Sequence, residues 1–209
     1  MQRVSKIIEK GAKALQDLNL LKLLQSEITH ELSSNPFQEV KSGSLGDFVV
    51  DWDSLQSQDV VLRRKCETGE EVAVSALLGP LPFTRETDTD DSVFPRNVLM
   101  KICVKKPGLR SVLQFDCEIY NKGGNGSEFD IQNAYYLQSS SAISSSDYRG
   151  PVFCDLDHRL IGAFKEYLIS KGIGESLTNF LILHLHKKEH SQYVNWLKKL
   201  ESMVTKDER

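Results

Sequence analysis

Hydrophobic positions along this chain follow two rhythms, and the change from one to the other marks out its elements. Val4, Ile8, Leu15, Leu18, Leu21, Leu24, Ile28 and Leu32 recur at helical spacing, with Gly11 and Ala12 as small residues in the stripe. This predicts a long amphipathic helix over 1–34, stopped at Pro36 in "SSNPF". A single apolar stripe on a long helix needs a partner. The other helical material lies at the C-terminus, so the two ends of the chain are expected to pack together.

Over 37–138 the period becomes two, the signature of half-buried strands. In "DFVVDWD", Phe48, Val50 and Trp52 share one face, and Asp47, Val49, Asp51 and Asp53 the other. "VVLRRKC" places Val61, Arg63 and Lys65 on one face, so a hairpin centred near Ser57 sets Asp51 opposite Arg63. The acids there could be imagined as a metal or acid–base site, but the facing basic residues make cross-strand charge pairing the better reading. A turn at Thr68-Gly69 leads to a third strand with Val72, Val74, Ala76 and Leu78 inward. "VLMKICVKKPGLRSVLQFDCEIY" reads as a hairpin around Pro107-Gly108, with Lys101 and Lys105 outward on one strand and Asp116 and Glu118 on the next. "NKGGNGS" is a turn before a sixth strand, "EFDIQNAYYLQ"; it does not open a helix, as a phosphate loop does. Strands joined in order by hairpins make an antiparallel meander.

Two segments break the sheet pattern. The loop 79–97 is rich in Pro and acid, and "RETDTDD" gathers Glu86, Asp88, Asp90 and Asp91. A serine-rich linker covers 139–150, and helices fill 155–204. In the first of these, Leu156, Leu160, Ile161, Phe164 and Leu168 face inward, Asp155 is the expected N-cap, and Gly172 the stop. The last carries Leu177, Phe180, Leu181, His184, Tyr193, Trp196, Leu197 and Leu200 at steps of three and four, interrupted near Lys187 to His190. The fold class is α+β, a single domain over 1–209 with one N-terminal and two C-terminal helices.

Composition adjusts this picture little. At 209 residues, 40% hydrophobic and 26% charged, the chain can bury a core without disulfides or metals. A net charge of −3 argues against nucleic-acid binding by bulk electrostatics. Cys66, Cys103, Cys117 and Cys154 form no CxxC pair, and are expected to be reduced and mostly buried. No apolar run approaches the roughly 20 residues of a membrane span. The basic start superficially suits a transit peptide, but the apolar pattern continues to Leu32. A mature helix is expected, with the transit peptide absent from this chain.

The candidate chemistry sits near the C-terminus. His184 and His186, two apart, point to different faces of a helix, whereas His186 and His190 could share an ion. Nothing is placed by sequence to complete that site, so no metal and no cofactor is expected. His184 is expected at the edge of the stripe, hydrogen-bonded, and the other two in solvent. Trp196 reads as core, and Lys187, Lys188, Lys198 and Lys199 as a solvated face. Cys117 is expected inward with Phe115 and Ile119, among acids that discourage a thiolate, so no catalytic residue is expected.

Several segments in this order resemble one known family. They are "NVLMKICVKK" with "SVLQFDCEIY", "FDIQNAYYLQ", "LDHRLIGAFKEYLISKGI" and, most specifically, "HKKEHSQYVNWLKKLESMV". Together they resemble the mitochondrial acidic matrix proteins, or mitochondrial glycoprotein family, whose animal member binds the globular heads of the first complement component. The resemblance implies a twisted seven-stranded antiparallel sheet flanked by one N-terminal and two C-terminal helices. The residues themselves give six strands, and Tyr148 to Phe153 is the place for a seventh. It also implies a doughnut-shaped homotrimer in the mitochondrial matrix without enzymatic activity. Such a protein would be a chaperone-like, multi-ligand scaffold supporting oxidative phosphorylation and mitochondrial ribosome function; the alternative is an RNA- or ribosome-associated assembly factor. Expected partners are the chain itself and basic proteins or mitochondrial ribosomal components; from its residues alone, the run Glu86, Asp88, Asp90 and Asp91 reads either as the loop that holds them or as a solubilising insertion with no partner.

Overall fold

Alternation in the sequence becomes a six-stranded sheet in a computed structural model, which describes residues 2–34, 37, 43–81, 94–122, 126–138 and 148–206. The elements are α1 (Gln2–Ser33), β1 (Val49–Asp53), β2 (Val60–Lys65), β3 (Glu71–Leu78), β4 (Val98–Lys105), β5 (Val112–Asn121), β6 (Ser127–Leu137), a 3-10 turn (Phe153–Asp155), α2 (His158–Ser170) and α3 (Glu175–Lys206). They fall into two compact units, Glu39–Lys188 and Met1–Gln38 with Glu189–Arg209.

In the larger unit the strands pair antiparallel in chain order, β1 to β6, the predicted meander. Val72, Val74, Ala76 and Leu78 are all buried, as their alternation requires. They continue a layer through Val60, Leu62, Met100, Ile102, Phe115 and Ile119. Leu168, Ile173, Leu177, Leu181 and Leu185, from α2, its end and the first half of α3, close this core. Fully burying a Leu or Ile side chain stabilises by about 1.5–3 kcal/mol, so this layer is the main source of the unit's stability. On the other face Lys101 lies opposite Asp116, an alignment the sequence pattern anticipates.

Three local expectations are corrected. No strand forms at 148–153: this stretch ends in the 3-10 turn, and Gly150, at φ 130°, comes against the Ala134 carbonyl of β6. Among the described residues the sheet therefore has six strands. The N-cap of α2 is Asp157, whose carboxylate accepts from the Arg159 amide at 2.8 Å; Asp155 belongs to the preceding 3-10 turn. Finally, α3 runs unbroken through Lys187 to His190.

Gly172 does end α2. With φ at 89° it donates to Ile169 while Ile173 donates to Leu168, the paired bonds of a Schellman cap. In the smaller unit Leu24 and Ile28 of α1 pack with Leu197, Leu200 and Val204 of α3. The ends of the chain meet as the apolar stripes require.

Candidate functional site

The histidine-rich stretch of α3 takes three separate environments. His184 stacks on Phe180, ring centroids 5.2 Å apart, and its Nε2 donates to the Asp53 carboxylate at 2.8 Å. His186 is buried, contrary to the expectation of solvent; its Nδ1 donates to the Ile182 carbonyl and its ring lies 5.0 Å from that of Phe94. Steps of three and four from Ile182 turn this position inward. His190 pairs with Glu31 at 3.2 Å. Among the described residues no group of three or more His, Cys, Asp or Glu is gathered to hold a metal.

Lys188 overturns the reading of a solvated lysine face. Its side chain is 4% exposed, and its ammonium donates to Asp53 Oδ1 and to the Asp59 carbonyl, each at 2.6 Å. Isolating an ammonium from water costs several kcal/mol, so this position is tolerable only because a carboxylate and a carbonyl meet it. Burial alone would raise the Asp53 carboxyl, but hydrogen bonds from Lys188 and His184 outweigh it and hold it below the usual range. Asp53 thus fastens the end of β1 to α3. Lys187, Lys198 and Lys199 are exposed, as expected.

Cys117 is buried beside Phe115 and Ile119, and burial with Asp116 and Asp130 nearby pushes its thiol up to about 12. A thiol so held stays protonated at neutral pH and is a poor nucleophile. Cys66 and Cys103 are half-buried, and Cys154 is exposed, contrary to a mostly buried set.

Asp51 does pair with Arg63, at 2.6 Å, although the register differs from the predicted one. Arg63 lies opposite Val49, and a bulge between Val50 and Trp52 sets Asp51 out of the ladder. The two-face reading of β1 also fails: Phe48 is buried, but Val49, Val50 and Trp52 are all exposed on this edge strand.

A cleft of about 150 Å³ opens beside the start of α3, lined by Ser44, Phe48, Arg64, Gly172 and Ser176 among others. Its guanidinium is already engaged, by Asp47 at 2.8 Å and the Lys171 carbonyl at 2.8 Å. The cleft is part of the scaffold around the α2 cap. Trp196 and Tyr193, expected in the core, are exposed and stacked on each other at 6.1 Å. Glu86, Asp88, Asp90 and Asp91 lie outside the described residues.

A six-stranded antiparallel meander followed by two C-terminal helices defines a particular class. The chain belongs to the mitochondrial glycoprotein family, matched over residues 24–204. It is 30% identical over 111 residues to the mitochondrial acidic protein mam33 of Schizosaccharomyces pombe, a match covering 48% of this chain and 39% of that protein. The chain thus spans about two-fifths of that relative's length. The fold is that of the Trypanosoma brucei p22 protein, with a TM-score of 0.69 at 20% identity over 91% of this chain and 99% of that one. A Leishmania major protein of unknown function, described as a sequence homologue of human p32, gives 0.67 at 17% identity, over 90% and 99%. Among the described residues no helix is long and apolar enough to cross a membrane.

Proposed function

We propose that this chain is a non-enzymatic, chaperone-like scaffold of the mitochondrial matrix that holds basic protein partners and so supports oxidative phosphorylation and mitochondrial ribosome function. Family membership over residues 24–204 carries this reading. The fission yeast relative is named a mitochondrial acidic protein, and this chain too has more acids than bases, 29 against 26. An excess so small cannot attract partners as a whole-molecule field, so the attraction is local. Glu86, Asp88, Asp90 and Asp91 are the densest acidic run. Assembly as a homotrimer displays three such runs together, and three weak contacts gain by multivalency what one lacks.

Two measurements test this. Light scattering on the purified chain is expected to return three times the monomer mass. Capture from a mitochondrial matrix extract is expected to retain basic proteins that raised salt releases and nuclease does not. Release by nuclease would instead favour the RNA-associated assembly factor.

A further inference from the structure

The smaller unit carries an apolar surface that its own helices leave uncovered. Three contacts set its geometry: Gln25 with Glu201, Glu27 with Tyr193, and Glu31 with His190. Numbers rise along α1 as they fall along α3, so the two segments run antiparallel. Their seam holds the buried Leu24, Ile28 and Leu197. In an antiparallel pair the like flanks of the two helices meet, so each flank of the seam is one continuous surface. The bond between Tyr193 and Glu27 marks one flank, and that between Gln25 and Glu201 the other.

The Tyr193 flank is apolar along both helices. Leu20 and Leu23 precede Glu27 at steps of three and four, and Tyr193, Trp196, Leu200 and Met203 follow at the same steps. Leu23 and Met203 are each 70% exposed, Trp196 53%, Leu20 47% and Tyr193 38%. Leu18 and Leu32, the other exposed leucines among the described side chains of α1, fall on the opposite side and far apart along it. A contiguous strip of this kind marks an interaction site rather than scattered surface leucines.

Charge selects the occupant. Glu27 and Glu31 are one turn apart on α1, and Glu189 is one turn before Tyr193 on α3, so three carboxylates gather at one end of the strip. The groove between two antiparallel helices accepts a third helix by ridge-and-groove packing. Acids at its rim favour lysine and arginine and oppose phosphate. The exposed indole of Trp196 gives a cation a further surface.

We propose that this strip, with Leu23 and Trp196 at its centre, is a docking groove for a basic amphipathic helix of a partner protein. The strip includes none of Glu86, Asp88, Asp90 and Asp91 and goes beyond the scaffold reading, on which it does not depend. The helix lays its apolar face over Leu20, Leu23, Trp196 and Met203 and directs its basic residues toward Glu27, Glu31 and Glu189.

The test uses the full chain and a fluorescein-labelled synthetic amphipathic helix of about 18 residues, long enough to span the strip at about 1.5 Å per residue. The probe has leucines on one face and lysines on the other, and a twin carries glutamates for the lysines. Anisotropy is expected to show the lysine probe binding and the glutamate twin not. Leu23→Asp, at a side chain already in solvent, is expected to weaken binding by at least roughly tenfold. Combined Glu27→Gln, Glu31→Gln and Glu189→Gln is expected to weaken it less and to flatten its salt dependence. In a Trp52→Phe background Trp196 is the one tryptophan left, and its emission is expected to shift as the lysine probe binds. Equal binding of the two probes, or binding unaltered by Leu23→Asp, would overturn the proposal. So would a change of oligomeric mass in Leu23→Asp, which would give the strip to a second copy of this chain.

Discussion

The Lys188 ammonium, almost fully withdrawn from water, lies 2.6 Å from one oxygen of the Asp53 carboxylate, across 135 residues of sequence. The contact ties the end of an otherwise exposed edge strand to α3. Neutralising the acid leaves a buried cation with neutral oxygen acceptors and no countercharge. We expect Asp53→Asn to destabilise by about 3 kcal/mol. Lys188→Met fills the same space without a charge and leaves Asp53 with His184 and solvent, so a cost of about 1 kcal/mol is expected. Urea midpoints at an unchanged slope measure both. Equal costs would show that the burial of Lys188 has no energetic consequence.

Gly172 combines a positive φ with crowding: a Cβ there would come within 2.5 Å of Arg64 Nη1, which itself donates to the Lys171 carbonyl. Gly172→Ala is expected to cost about 1–2 kcal/mol, and Gly162→Ala, in open space within α2, to be neutral or slightly stabilising. Thermal unfolding of the two variants compares them directly.

Glu128 supplies a pH signature. Hydrogen bonds from Lys122 and then Lys165 hold its carboxyl down to about 2. Its value in the folded chain is below the unfolded one. The stabilisation is therefore complete above the ordinary glutamate range and is lost as pH falls toward 2. An NMR titration of the side-chain carboxyl is expected to show the low midpoint, and Lys165→Gln to move it back upward. A midpoint in the ordinary range in the parent chain would remove the network.

Removing residues 1–34 uncovers Leu197, which packs against Leu24 and Ile28 of α1. The truncated chain is expected to lose solubility and to bind a hydrophobic dye. Unchanged solubility and no dye binding would mean that the α3 stripe does not need α1.

The larger unit was legible because each of its signals is local. Alternation in β3 names Val72, Val74, Ala76 and Leu78, and a glycine after the last apolar residue names the end of α2. What escaped depends on contacts distant in sequence or on a single residue of register. Lys188 reads as a surface lysine because nothing near it announces Asp53. The same is true of the polar run at 187–190, which looks like a break in α3 until Asp53 and Glu31 meet its side chains. The bulge at Asp51 shifts the register at Trp52, and on an edge strand Val50 is exposed as well. Trp196 sits at helical spacing, yet two helices have one seam between them, and the spacing does not distinguish seam from flank. Asp155 and Asp157 are both good caps, and the intervening 3-10 turn decides between them. The acids at 86–91 lie outside the described residues, so their role rests on charge alone.

That role has its own test. Replacing Glu86, Asp88, Asp90 and Asp91 with Gln and Asn is expected to slow association with a basic protein while leaving stability and oligomeric mass unchanged. Unaltered association would move recognition to the sheet or helix surfaces.

The claim that this chain is a scaffold for basic partners is tested most directly by its affinity for a purified basic mitochondrial ribosomal protein across a salt series. Exposed charges are screened beyond roughly 8 Å at physiological ionic strength. The account predicts saturable binding that weakens steadily as salt rises, without turnover of the partner. Binding indifferent to salt, or no binding at low salt, would contradict it.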